Sequence, residues 1–530
     1  MKTKTKQRIL YFCICLLFLA EACISSAKVY YSAVILDKAQ AGDLSGMLFS
    51  IFLAVSACLG LFLVDYLNTR SKLAYMTSIE LELKHNIVHA MLHRPMQAFR
   101  EKDDAYYFNL LTTDVDTYRN DFIGSRLMLI SWVFYGISAA AMLCKLHPML
   151  LLAGLVLAII PIFTNNLFTA ISQKAKNGFS GASEAYSGAL QELIKGYETI
   201  RANNATAFAE DRHDFFSTAK RRAASRYSFV QNMSMEAFYT FAGLNALLGI
   251  GVGGYLVIQV IQGKLSAVLM LAAQSYFVTL GNAFSNISNY VVEMRAAGDI
   301  RKKLRAESVC APEAGKDLTS PGDIRYDRVS LRFGEKTLYR NFSEVFPAGK
   351  ATAIVGESGC GKSTLIKLLL RYYAPDGGKI TIGDQDVQTV SEDDLYRCIG
   401  LVEQSPFLFN ATLYENITLF SGAPKEASEE YRHLLRALNL EKLAQQVGDQ
   451  KLGDFGEKIS GGERQRINLA RVTRQKKPIV IYDEPTTGLD PENTRLIDQF
   501  IFAQTGTTRI VITHDHSSDF LEQFDKVVRL

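Results

Sequence analysis

Residues 349–366 read GKATAIVGESGCGKSTLI, and the rest of the chain is organised around them. The apolar run Ala351–Val355 reads as a short buried strand, followed by a glycine-rich turn and a helix opening at Lys362. Gly356, Gly361, Lys362 and Ser363 meet the pattern G-x-x-x-x-G-K-[ST] in the strand–loop–helix setting that gives it meaning. Glycines let backbone N–H groups turn inward around a phosphate, and the helix offers its positive end to the same anion. In such a loop Lys362 reaches the β- and γ-phosphates and the Ser363 hydroxyl ligates Mg²⁺.

At 530 residues the chain is long enough for two or three domains, and its 48% hydrophobic content averages two unlike halves. Up to about residue 300 it carries long apolar runs; beyond about 320 it reads as a water-soluble α/β domain. A net charge of +4 over this length does not suggest a nucleic-acid partner. The eight cysteines show neither metal spacing nor a disulfide framework. Cys13, Cys15, Cys23, Cys58 and Cys144 lie in apolar runs as small hydrophobes. Cys360 sits inside the phosphate loop, which therefore should face a reducing cytosol.

The N-terminus has Lys2, Lys4, Lys6 and Arg8 ahead of the apolar run Ile9–Ala20. A cleaved signal peptide would send the nucleotide loop to the wrong compartment, and apolar character resumes through Leu36, so a membrane helix over about 10–35 is expected. Further spans are expected at 44–64, 127–144, 149–168, 238–261 and 267–292, each near the ~20 residues that cross ~30 Å of hydrocarbon. Arg70, Lys84, Arg94, Arg119, Lys174, Lys220, Arg221 and Arg222 enrich segments 65–126 and 170–236. The tight connections near 37–43, 145–148 and 262–266 hold only Lys38, Lys145 and Lys264. The positive-inside rule thus puts the long segments and both termini in the cytoplasm. These segments are helical in pattern and read as membrane helices continuing into the cytosol, turning back around Asp103–Leu111 and Asn203–Asp211.

Glu21, Asn245, Gln259, Gln274, Asn282, Asn286 and Asn289 are polar residues within the expected spans. Such groups face a bundle interior or a wet cavity, as pathway residues or as interhelical hydrogen-bonding partners. His85, His89 and His93 recur every four residues, a spacing that suits a metal, but in a polar cytoplasmic helix they read first as a solvated face.

Residues 306–322, with Pro312, Gly315, Pro321 and Gly322, form a linker. The segment IRYDRVSLRF then leads to Phe333, which is placed either in a core or on a nucleotide base. Ile479–Tyr482 followed by Asp483 and Glu484 reads as a parallel strand buried on both faces, ending in two carboxylates at the ligand crevice of an open α/β sheet. Asp483 suits a Mg²⁺–water partner, and Glu484 a base for an attacking water. A second strand, Arg509–Thr513, ends at His514, which can donate to a γ-phosphate. In ISGGERQRINLARV, 459–472, Ser460, Gly461 and Gly462 expose N–H groups at a helix start, a second anion site. Either both sites close on one nucleotide within a chain, or they meet across two chains.

Over nearly its whole length the chain resembles the half-transporters of the ATP-binding cassette (ABC) exporter type. GESGCGKST matches Walker A, so the resemblance implies ATP contacts from Gly356, Glu357, Ser358, Gly359, Cys360, Gly361, Lys362, Ser363 and Thr364. IVIYDE matches Walker B, with Glu484 as catalytic glutamate. ISGGE matches the signature usually written LSGGQ, with Glu463 in place of glutamine. LVEQSPFLFNATLYENI matches the glutamine-loop region, which assigns Gln404 to Mg²⁺. TGLD ends in Asp490, facing a partner subunit; Phe333 takes the place of a base-stacking tyrosine and His514 that of the switch histidine.

The resemblance implies a six-span helical transmembrane domain over 1–305 and a P-loop ATP-binding domain over 323–530. It further implies hydrolysis of ATP with Mg²⁺, with Glu484, His514 and Lys362 catalytic and Ser363, Gln404 and Asp483 on the metal. The expected partners are the bilayer, a transported substrate and a second subunit, as a homodimer or a heterodimer, in a cell membrane, the bacterial cytoplasmic one. Export of a peptide, lipid or amphipathic compound is expected, with uptake of a siderophore-like compound and an ATP-gated channel as rivals. No protease domain precedes the membrane domain, so leader cleavage by this chain is not expected.

Overall fold

The computed structural model describes all residues except 1, 260–266, 310–314, 319–321, 422–428, 454–455 and 457. The chain divides into two compact units: Met1–Ala90 with Ala105–Val309, and Met91–Asp104 with Cys310–Leu530.

The first unit is helical. Its elements are α1 (Lys2–Gln40), α2 (Leu44–Leu92, which runs into the second unit), α4 (Asp104–Asn109), α5 (Val115–Thr117), α6 (Ser125–Leu146), α7 (Pro148–Leu157), α8 (Ile159–Lys195), α9 (Tyr197–Ala202), α10 (Thr206–Gln259), α11 (Ala267–Ala296) and α12 (Gly298–Glu307); α3 (Met96–Arg100) belongs to the second unit. Two π-helical turns, Leu110–Asp114 and Tyr118–Gly124, flank α5. In hydrocarbon each backbone polar group must be paired within its own segment, so the apolar runs can only be helices here. Three helical stretches of the described residues are long and apolar enough to cross a membrane: Lys4–Gln40, Leu44–Leu92 and Tyr106–Leu146. The expected spans 149–168, 238–261 and 267–292 are helical through the described residues, the first broken at Ala158 between α7 and α8, and 260–261 lie outside them. The 49 residues of α2 extend about 74 Å, far beyond a ~30 Å hydrocarbon layer. The core of this unit gathers Leu143, Leu150, Tyr276, Phe277 and Leu280, and a second cluster joins Ile14, Phe18, Phe122 and Leu127.

The first turning point falls earlier than the sequence reading put it, while the second opens the expected stretch, at 203–205. α2 stops at Leu92, α3 is Met96–Arg100 and α4 begins at Asp104, so the first turn lies ahead of Asp103–Leu111. Pro95, the N-cap of α3, is the reason: it cannot continue a helix and disfavours helical geometry in the residue before it. The second turn places α9 ahead of Asn203, and Asn204 takes a left-handed φ of 53°.

The second unit is α/β. Its strands are β1 (Ile324–Phe333), β2 (Lys336–Phe346), β3 (Ala351–Val355), β4 (Gly377–Ile382), β5 (Gln385–Asp386), β6 (Ile399–Val402), β7 (Ile479–Asp483), β8 (Thr508–Ile512) and β9 (Lys526–Arg529). Its helices are α13 (Lys362–Leu369), α14 (Glu392–Cys398), α15 (Leu413–Thr418), α16 (Glu429–Ala437), α17 (Glu441–Val447), α18 (Gly461–Arg474), α19 (Pro491–Ala503) and α20 (Ser518–Leu521). A parallel sheet runs β6-β7-β8-β3-β9, and a smaller one runs β2-β1-β4-β5. All five residues of β3 are buried, as are the first four of β7 and all of β8, because both faces of the parallel sheet are covered. Cores lie on both faces, one centred on Leu365, Leu368, Ile481 and Ile512 and the other on Leu408, Ile467, Tyr482 and Ile497. β3, β7 and β8 end side by side, with Ile354 paired to Ile512 and Ile512 to Asp483. Their carboxyl ends therefore deliver the phosphate loop, the two carboxylates and His514 to one edge.

Candidate functional site

Between β3 and α13 the chain turns through Gly359, at φ 80°, and Gly361, at φ 112°, both conformations that favour glycine. Gly361 has a second constraint: the Tyr339 hydroxyl donates to its carbonyl at 2.6 Å, and a Cβ on Gly361 would lie 2.6 Å from that hydroxyl. Lys362 is 5% exposed, and its ammonium donates to the carbonyls of Gly356 at 2.8 Å and Glu357 at 2.9 Å. The loop so formed opens into a cavity of about 450 Å³ lined by Phe333, Lys336, Ser358, Gly359, Lys362, Ser363, Thr364, Gln404, Glu484 and His514. Residues separated by nearly two hundred positions thus share one wall.

The Ser363 hydroxyl donates to Asp483 Oδ1 at 3.1 Å. Burial pushes the Asp483 carboxyl above its ordinary value; the Ser363 hydrogen bond opposes this, and the neighbouring Glu484 charge adds to it. Glu484 takes a left-handed φ of 49°, a strained geometry for a residue with a Cβ, and its N–H donates to the Ile512 carbonyl at 3.1 Å. Its carboxylate accepts from Gln404 Nε2 at 2.7 Å, Thr487 Oγ1 at 3.2 Å and His514 Nε2 at 2.6 Å. Phe333 ends β1, 45% exposed, with Tyr373 edge-on at 5.1 Å, so its ring is held with a face available to a base.

A divalent ion with a preference for oxygen fits this chemistry. The Ser363 hydroxyl, the Asp483 carboxylate and the Gln404 amide are hard oxygen donors beside the phosphate loop, a set that suits Mg²⁺ completed by phosphate and water. Elsewhere, among the described residues, no three His, Cys, Asp or Glu side chains are close enough to hold a metal, and the His85 and His89 rings lie 6.4 Å apart.

Ser460 and its helix are not brought to that cavity. Ser460 caps α18, accepting from Glu463 N at 3.3 Å, while the Glu463 carboxylate accepts from Ser460 N at 2.9 Å and from Ser460 Oγ at 2.7 Å. This is a capping box, and it satisfies two N-terminal donors of the helix. Gly461 instead lines a separate cavity of about 280 Å³ with Ser405, Arg464, Thr487, Gly488 and Leu489. Asp490 caps α19, and the N–H groups of Asn493 and Glu492 hold its carboxyl below the usual range. Of the two arrangements the sequence left open, closure of both anion sites on one nucleotide within a chain is not the one formed in this conformation.

The sequence reading missed Tyr339, Thr487 and Lys336. Thr487 stands in the TGLD segment already singled out and had a signal; Tyr339 had none, because its contact is made by a strand 22 positions ahead of Gly361. Segment Met91–Asp104 was also not foreseen as part of this unit. The Glu392 carboxylate, 7% exposed, accepts from Met96 N at 2.9 Å, and the Arg100 guanidinium lies 4.9 Å from the Tyr372 ring. Burial raises the Glu403 carboxyl, opposed by Arg471 and by Arg100, so the segment reaches electrostatically to the neighbour of Gln404.

Comparison with known proteins adds lineage to this geometry. A family model described as the ABC transporter transmembrane region matches residues 11–284, and one described as ABC transporter matches residues 339–487. A lipid A-core flippase of Chromohalobacter salexigens is 25% identical over 502 residues, 89% of this chain and 82% of that protein. A lactococcin-G-processing and transport ATP-binding protein of Lactococcus lactis is 28% identical over 373 residues, 68% of this chain and 52% of that one. The matches cover only 52–56% of the first curated relatives' own length. The solved structure of a bacterial Atm1-family ABC exporter with ATP bound superposes with a TM-score of 0.79 at 20% identity, covering 99% of this chain and 93% of that one.

Proposed function

The chain belongs to the ABC transporter family, and from that membership we propose that it is half of an ATP-driven exporter whose nucleotide site is completed by a second subunit. The observation that carries the reading is the Glu484 carboxylate, gripped by Gln404, Thr487 and His514 at the mouth of the phosphate-loop cavity. A carboxylate so oriented can accept a proton from a water attacking the γ-phosphate. His514 holds its position and donates toward the developing charge, Lys362 neutralises phosphate oxygens, and Phe333 stacks on the base. Ser363, Gln404 and Asp483 would hold Mg²⁺, which would supply positive charge to offset that of the phosphates.

Gly461 and Ser460 do not line this cavity, which supports their use by a nucleotide held on a partner, a second copy or a related chain. ATP favours the closed pair over the open one and shifts the population toward it. The basic cytoplasmic segments support insertion with both termini inside, in a bacterial cytoplasmic membrane. The curated relatives include a lipid A-core flippase, a lactococcin-G-processing and transport protein and iron–sulfur clusters transporters, which supports export of a lipid, peptide or amphipathic compound.

The test uses purified chain in vesicles. Glu484→Gln keeps ATP binding and loses steady-state hydrolysis by about a hundredfold or more. Hydrolysis near the unmodified rate in that variant overturns the assignment, and ATP-driven flux of labelled lipid or peptide in vesicles of known orientation decides direction.

A further inference from the structure

Glu21 lies near the middle of the first expected span, in the apolar stretch of α1. Its Oε2 accepts from Asn68 Nδ2 at 2.9 Å and its Oε1 from the Tyr135 hydroxyl at 2.9 Å. Both donors are neutral. They fix the carboxylate between α1, α2 and α6 without neutralising it, and Glu21 makes no ion pair among the described residues. An ionisable group at this depth is costly and is retained in pathways or wet cavities.

A second observation points to what is missing from the cluster. Asn68 is 3% exposed, yet its Oδ1 is buried with no hydrogen-bond partner. The amide that donates to Glu21 therefore carries an orphan acceptor beside it, and such atoms are rare in native interiors. Asp65, one turn earlier on α2 and exposed, is within electrostatic reach of the Tyr135 hydroxyl. The cluster has acceptors in excess and lacks a cation with hydrogens to give. Glu21 is half-buried.

We infer that Glu21, with Asn68 Oδ1, is the recognition point for a protonated amine of the transported molecule. A primary ammonium carries three donors and one positive charge, enough to satisfy the orphan oxygen and a free lone pair of Glu21 together. The charge-assisted bond to the carboxylate makes the site discriminate against a neutral analogue. The inference rests on the exporter reading, since it supplies that reading's substrate class: amphipathic compounds bearing an amine.

Dansylcadaverine, an apolar fluorophore on a primary amine, and its N-acetyl derivative, which lacks the charge, are titrated against the full chain in lipid vesicles. The unmodified chain is expected to bind the amine about tenfold or more tightly than the acetylated form. Glu21→Gln, which keeps the shape, should bring the two within about twofold, while Tyr135→Phe, which keeps the carboxylate, should preserve the preference. Equal binding of both probes by the unmodified chain overturns the proposal, as does a preference that survives Glu21→Gln or disappears in Tyr135→Phe. ATP hydrolysis is measured on the same vesicles: its absence would count against the exporter reading while leaving the charge preference to be judged by itself.

Discussion

His514 Nε2 and Glu484 Oε1 sit 2.6 Å apart, joining the ends of β8 and β7 at the wall of the phosphate-loop cavity. The ionised carboxylate has only acceptor capacity, so the imidazole carries its hydrogen on Nε2 in this contact. Gln404 and Thr487 hold the opposite oxygen. The three donors are unequal: the imidazole approaches closest and is the only one of them that can carry a positive charge. His514→Ala is therefore expected to lower the turnover number for ATP by about 10²–10³-fold with a smaller change in KM, as for loss of an interaction made in the transition state. Thr487→Val should cost less than about tenfold, since Gln404 still holds that oxygen. Steady-state ATPase measurements over a range of ATP concentrations check both.

Glu463 occupies the third position of α18 and closes a reciprocal cap with Ser460. Glutamine fills the same role in a capping box, so Glu463→Gln should leave the thermal unfolding midpoint nearly unchanged. It removes a negative charge from a helix end proposed to meet a triphosphate, so KM for ATP should fall severalfold or stay level. Glu463→Ala loses the cap and should destabilise the unit by about 1 kcal/mol. A rise in KM in the glutamine variant contradicts this account.

Gly361 is constrained both by its φ of 112° and by the Tyr339 hydroxyl. Gly361→Ala should cost more than about 1 kcal/mol in stability and abolish detectable ATP binding, because the loop would have to leave the phosphate-binding conformation. Tyr339→Phe in the same chain relieves the steric contact but not the backbone strain, and should not restore binding. Fluorescent nucleotide binding separates the two causes.

Those residues also mark how far the sequence could be read. The strand Ala351–Val355, the helix opening at Lys362 and the carboxylates closing β7 were legible because apolar runs and glycine turns are local signals. The grip on Glu484 was legible only as candidate names, since Gln404 is 80 positions away and His514 30, and only strand order brings them together. The turn at Pro95 was placed too late because the pattern on either side is equally helical, and the break depends on one residue. Glu21 stood out as a charge in an apolar run, but its partners are 47 and 114 positions away, and no periodicity encodes that distance.

Asp498 offers a pH test of the second unit. Burial, with the nearby Asp515 charge adding, raises its carboxyl to about 6 from an ordinary 3.8. A carboxyl with a raised folded-state value stabilises the fold fully below the unfolded value, and that contribution is lost as pH rises through about 6. Asp498→Asn removes the titration. It should raise the unfolding midpoint at pH 8, by on the order of 1–2 kcal/mol of stability after solvent screening, and give little or no gain at pH 4. An equal effect at both pH values would assign the change to packing instead.

The buried side chain of Glu392 helps tie segment Met91–Asp104 to the rest of the nucleotide unit by accepting from Met96 N. The ends of short helices have unpaired N–H groups, and a carboxylate placed there satisfies one of them and favours the positive helix end. The bond is charge-assisted, so its loss should weaken docking of α3 by about 1.5–3 kcal/mol. α3 follows directly from the membrane helix α2, and Arg100 acts on Glu403, the residue before Gln404. Glu392→Ala is thus expected to leave basal ATP hydrolysis within about twofold while reducing its stimulation by transported compounds about tenfold. Glu392→Gln, which keeps an acceptor without the charge, should fall between the two. Parallel loss of basal and stimulated activity in the alanine variant would show that Glu392 supports the fold of the nucleotide unit and carries no signal from the membrane helices.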